Sequence, residues 1–91
     1  MIAATAVPVI PRGVRLHRDR VRDRWVLLAP EKTIALDEIG HAILTEIDNH
    51  TDFATLVGRL ATKYDAPEDE IAPDVAGFIS TLAARRILEV A

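Results

Sequence analysis

Arg24-Trp25-Val26-Leu27-Leu28-Ala29-Pro30-Glu31-Lys32-Thr33-Ile34-Ala35-Leu36 reads as an apolar strand, a Pro-Glu corner and a second short strand. Asp37 then ends the sheet and opens a run of helices. Trp25 to Ala29 is continuously apolar, which predicts a central strand covered more fully than its neighbours. Upstream, Val14 and Leu16 alternate with Arg15 and His17, the period of a half-buried strand, and Asp19 to Asp23 is a polar connection. Three strands joined by short connections give an antiparallel meander whose first and third members are edges. Nothing after Leu36 reads as a further sheet segment able to cover the third strand. An uncovered strand presents unpaired N–H and C=O groups, a template for another extended chain.

Helical periodicity follows. Asp37 is placed as an N-cap with Glu38 behind it, and Ile39, Ile43 and Ile47 recur every four residues. Asp48-Asn49-His50 ends this helix, with Asn49 suited to a left-handed conformation. Thr51 or Asp52 caps a second helix whose stripe is Phe53, Leu56, Val57, Leu60, Ala61 and Tyr64. A third starts near Pro67, carries Glu68, Asp69 and Glu70 in its first turn, and has Ile71, Val75, Phe78, Ile79, Leu82 and Ala83 as its stripe. Pro73 predicts that this helix is kinked there or begins there. Arg85 and Arg86 fall at its negative end, and Ile87-Leu88-Glu89-Val90 closes the chain as an extended or docked tail. The expected class is α+β, a winged-helix-like three-stranded antiparallel sheet packed on three α-helices.

The length of 91 residues suits one domain. Pro8 and Pro11 punctuate the start, so residues 1–12 are expected to be a flexible lead-in and residues 13–91 the folded domain. With 49% hydrophobic and 27% charged residues the composition is that of a globular protein. There is no cysteine, which removes disulfides and thiolate metal sites. No apolar run approaches the ~20 residues of a membrane helix, and Met1 to Val7 lacks the basic and long apolar regions of a signal peptide, so a cytoplasmic location is expected. The net charge of −3 is unevenly spread. Arg12, Arg15, Arg18, Arg20, Arg22 and Arg24 stand against Asp19 and Asp23, a local excess of four positive charges that leaves −7 for the rest. A basic hairpin on an acidic helical body is the pattern of an oriented partner surface or of a charge-blunted edge.

Catalytic constellations are missing. His17, His41 and His50 lie on different elements with no H-x-x-x-H spacing, so no zinc set is expected. Glu68, Asp69, Glu70 and Asp74 lack the alternating ligands and glycine turn of a calcium loop and are explained by the helix dipole. Ser80 is the only serine and has no G-x-S-x-G context, and the four glycines are scattered. A non-enzymatic protein without metal or cofactor is expected. Nucleic acid is disfavoured as a partner, because an exposed helix face opening with Glu68, Asp69, Glu70 and Asp74 is repelled by phosphates.

With those pieces placed, the chain resembles the pyrroloquinoline quinone biosynthesis protein D (PqqD) family, peptide-recognition domains of ribosomal peptide modification pathways. The resemblance rests on Pro11-Arg12-Gly13-Val14-Arg15-Leu16, on Arg24 to Glu31, and on Leu36-Asp37. It continues through Ile43-Leu44, Tyr64-Asp65-Ala66-Pro67, Ile71 and Asp74-Val75, over about residues 11–90. It implies a domain that binds the ribosomally made precursor peptide PqqA and presents it to the radical S-adenosylmethionine enzyme PqqE. The implied peptide site is the third-strand edge, Lys32, Thr33, Ile34, Ala35 and Leu36, with the groove beside the third helix, Asp74, Val75, Phe78, Ile79 and Leu82. Some of these apolar helix residues belong to the core, and the spacing does not sort them. A monomer is expected, with a homodimer closed through the same edge as the rival. Asn49 and Arg86 stand where the family usually has glycine. A positive φ at Arg86 would cost ~1 kcal/mol, so the third helix is expected to run straight into Ile87.

Overall fold

The computed structural model describes residues 2–91. In chain order it contains β1 (Pro8–Val9), β2 (Arg15–Asp19), β3 (Arg24–Ala29), β4 (Lys32–Ala35), α1 (Glu38–Glu46), α2 (Phe53–Tyr64), α3 (Glu68–Ala84) and β5 (Glu89–Val90). Strands β2, β3 and β4 form the antiparallel meander, and β1 pairs with β5 in a separate two-stranded ladder. The fold is α+β, a three-stranded sheet with three helices.

Register decides which side chains face the helices. Leu16, Leu27 and Ile34 lie opposite one another across the three strands. Leu27 is fully buried in a core with Ile43, Leu44, Leu56, Ile79 and Leu88, while Leu16 and Ile34 pack against it from either side. Each buried aliphatic side chain of this kind contributes about 1.5–3 kcal/mol. Val26 is buried as well, on the opposite face, in register with His17 and Ala35. Burial on both faces is why β3 reads as an uninterrupted apolar run. At the β3–β4 corner neither Pro30 nor Glu31 has a positive φ, in keeping with the φ that proline fixes at the first turn position.

The first two helices are capped by side-chain carboxylates, whereas α3 starts behind Pro67 with no side-chain cap. Asp37 accepts from the Gly40 amide at 2.7 Å and Asp52 from the Thr55 amide at 2.9 Å. Helix α2 carries the predicted stripe, with Phe53, Leu56, Val57, Leu60 and Ala61 buried. Helix α3 begins at Glu68, ahead of Pro73. The missing proline N–H leaves only the Asp69 carbonyl without its helical donor, and Asp69 is exposed to water.

Both chain ends depart from the expectations. Prolines were expected to interrupt any ladder near the start, yet Pro8 sits buried in β1, paired with Val90, and Val7 and Ala91 exchange amide bonds at 3.0 and 2.9 Å. Proline is admissible because a two-residue ladder flanked by these bonds has no need of its N–H. The same segment closes α2: the Phe53 and Ala54 amides donate to the carbonyls of Ala6 and Ala4 at 2.7 and 3.0 Å. These are first-turn donors with no partner inside the helix. At the other end Arg86 does take a positive φ, +59°. Its amide donates to Ala83 at 3.0 Å and that of Ile87 to Leu82 at 2.9 Å, and the Ile87 and Leu82 side chains are both buried. That is a Schellman closure, so α3 stops rather than running into Ile87. The buried pair holds a left-handed residue that is not glycine.

Candidate functional site

Strand β4 ends the sheet, and no strand pairs with its outer side among the described residues. The Leu36 amide donates to the Trp25 carbonyl at 3.0 Å. Hydrogen-bonded pairs alternate along an antiparallel ladder, so the backbone groups of Lys32, Ile34 and Leu36 point inward to Ala29, Leu27 and Trp25. The N–H and C=O of Thr33 and Ala35 are left facing outward. The five residues Lys32 to Leu36, four of them in β4, therefore divide by role. Thr33 and Ala35 supply an open edge, Ile34 and Leu36 send half-buried side chains against the core, and Lys32 stands exposed beside the corner.

Helix α3 sorts in the same way. Val75, Ile79 and Leu82, spaced four and three apart, are buried core residues. Asp74 is exposed and Phe78 is half-buried. The Phe78 ring lies against the first turn of α1, where a Cβ added to Gly40 would sit 3.0 Å from its Cε1 and 3.1 Å from Asp37 Oδ1. Glycine at 40 is what allows the ring to approach the turn that follows β4. Leu36 and Phe78 are thus both half-buried against the core, Asp74 is exposed one turn before Phe78 on α3, and the free backbone groups of the edge belong to Thr33 and Ala35.

Above the same turn the Trp25 indole stacks on the His41 imidazole, centroids 4.4 Å apart and planes 20° from parallel. Arg18, which is paired with Asp23, lies 5.9 Å from the indole centroid. The hairpin of residues 20–23 is itself ordered by Asp19, whose carboxylate accepts from the Val21 and Arg22 amides at 3.1 and 3.2 Å. Sequence reasoning missed a further feature. Ile39, Ala42 and Ile43 of α1, Leu60, Tyr64 and Ala66 at the end of α2, and Ile71, Asp74 and Val75 of α3 line an apolar hollow of about 270 Å³. Ile39 and Tyr64 belong to the predicted stripes but are 65% and 48% exposed. Their places at the ends of those stripes are the only signal the sequence carries. No group of three metal-ligating side chains converges among the described residues, and no helix is long and apolar enough to cross a membrane.

Fold and site together define a small α+β binding domain that offers an open sheet edge beside a helix. The family description "Coenzyme PQQ synthesis protein D (PqqD)" matches residues 24–88. A Rhizobium meliloti protein named "PqqA binding protein" is 43% identical over 90 residues, covering 99% of this chain and 92% of its own length. A Xanthomonas campestris protein of the same name is 39% identical over 89 residues, covering 98% and 97%. The solution structure of the PqqD part of Methylobacterium extorquens PqqCD is described as a functional, stand-alone recognition element for ribosomally synthesised and modified peptides. It superposes with a TM-score of 0.84 at 38% identity, covering 98% of this chain and 95% of that one. The chain belongs to the PqqD family. Its relatives are named for binding, not catalysis.

Proposed function

We propose that this chain binds the precursor peptide PqqA as an added strand on the outer edge of β4 and presents it to the radical enzyme PqqE. The observation that carries this is the pair of outward backbone sites at Thr33 and Ala35 on the unpaired edge of β4, with Phe78 and Asp74 of α3 as the proposed groove beside it. Two residues offer two donors and two acceptors, enough to fix register, while side chains in the groove choose the peptide. Ordering a flexible peptide consumes several kcal/mol of the gross gain, which places affinity in the micromolar to nanomolar range. The domain makes no bond itself; it orients the peptide for the enzyme. The names of the relatives and the recognition-element neighbour support the reading. A monomer acting in the cytoplasm, in complex with peptide and enzyme, completes it.

The test is titration of isotope-labelled protein with PqqA. Amide shifts centred on Thr33 and Ala35 and on the Asp74–Phe78 turn support strand addition; shifts confined to the Arg12–Arg24 hairpin exclude it. Sedimentation with and without PqqA separates a dimer closed through β4, which peptide would dissociate.

A further inference from the structure

The hollow between the three helices is lined by apolar side chains and plays no part in the strand-edge site. Two of the four large exposed hydrophobic side chains among the described residues, Ile39 and Tyr64, line it, and exposed apolar surface gathered around a concavity marks a binding site. At about 270 Å³ it lies below the usual range of small-molecule pockets, roughly 300–1,000 Å³, and suits one side chain rather than a cofactor. It also shares Asp74 and Val75 with the proposed peptide site. Asp74 and Val75 line it, Phe78 lies one turn further along α3, and Ile39 follows the Asp37 cap at the end of β4. One helical turn is about 5.4 Å and an extended chain rises about 3.3 Å per residue, so a peptide leaving the β4 edge reaches the hollow about two residues beyond Phe78. The surroundings are acidic. Asp74 lines the hollow, and Glu38, Asp65 and Glu70 each adjoin a lining residue; all four are exposed. Against these four carboxylates stand Arg59 and Lys63, which adjoin the lining residues Leu60 and Tyr64, Lys63 lying 5.9 Å from the Tyr64 ring.

We infer that the hollow is an anchor subsite for one aliphatic side chain of the bound peptide, flanked in that peptide by lysine or arginine. Burying such a side chain contributes about 1.5–3 kcal/mol, and the acidic surroundings select the basic neighbour while the strand edge is indifferent to sequence. This rests on the strand-addition reading, and the two are separable. Ile39 is exposed, so Ile39→Asp leaves the core intact; thermal unfolding checks that it does. It should weaken PqqA about tenfold or more, since each 1.4 kcal/mol is tenfold. The methyl resonances of Ile39, Ile71 and Val75 should shift on saturation with PqqA. The double variant Glu38→Gln, Asp74→Asn should flatten the salt dependence of binding. If PqqA shifts the Thr33 and Ala35 amides while those methyls stay still and Ile39→Asp binds normally, the anchor is refuted and strand addition stands. If PqqA does not bind, both fall. If the methyls shift with protein concentration alone, the occupant is a second copy of this chain and the anchor is refuted.

Discussion

Asn49 and Arg86 share a backbone conformation, with φ of +67° and +59°, but call for opposite substitutions. The Asn49 side chain clasps Ile10, its Oδ1 accepting from the Ile10 amide at 2.8 Å and its Nδ2 donating to the Ile10 carbonyl at 3.3 Å. Asn49→Gly keeps the left-handed turn and loses the clasp, so it should cost about 1 kcal/mol in urea unfolding. Arg86 makes no hydrogen bond that its side chain needs for the turn. Arg86→Gly removes a left-handed penalty of about 1–2 kcal/mol against an entropic cost of about 0.5–1, so it should stabilise by roughly 1 kcal/mol. Asp48 offers a pH test. Its carboxylate accepts from the His50 amide, then from the Thr51 hydroxyl and amide, with Arg59 3.8 Å away, and its pKa is held at about 2. A depressed pKa contributes stability that is present above the unfolded value near 3.8 and lost as pH falls through the folded one. Between about pH 4 and pH 2 the parent should therefore lose more stability than Asp48→Asn, read from denaturation midpoints across that window.

At the level of elements, parity along β4 separates binding from folding. A proline on a sheet edge is tolerated where its missing N–H would face solvent. Ala35→Pro should leave the thermal midpoint nearly unchanged while removing one ladder bond to the peptide. Ile34→Pro deletes an inward donor to Leu27 and should destabilise the sheet itself. Unfolding curves beside a PqqA titration distinguish the two, and equal binding by Ala35→Pro would exclude strand addition through that residue. The strand and its edge status are legible in the sequence, because they follow from alternation and from the lack of a later segment long enough to cover it; the short β5 pairs with β1 instead. Which residues face outward is not legible, since it depends on the hydrogen bond between Leu36 and Trp25. The same holds for α3. Its apolar stripe is evident, but only packing separates the buried Val75, Ile79 and Leu82 from the half-buried Phe78.

Across the whole molecule the two chain ends are stitched to the core by backbone bonds that no periodicity announces. Residues 4–10 close the first turn of α2, pair with the C-terminal strand and meet Asn49. At about 1 kcal/mol per bond, deletion of residues 2–10 should lower stability by several kcal/mol, measured by thermal unfolding of residues 11–91 against the full chain. If the midpoint is unchanged, the segment is a dispensable lead-in, as its prolines suggest. The charge asymmetry is a sequence property that the fold preserves: all six arginines from Arg12 to Arg24 are exposed.

By itself the sequence determined the class of the fold, the three strands of the meander, the three helices with aspartate caps on the first two, and the location of an open edge. All of these are set by local periodicity and by short-range hydrogen bonding. Tertiary structure decided which backbone groups of β4 are free, which α3 side chains are core, that the N-terminal segment caps α2, and that Ile39 and Tyr64 frame a hollow. Each of these depends on residues far apart in the chain meeting in one register, and pattern along a single chain does not encode the distance between them.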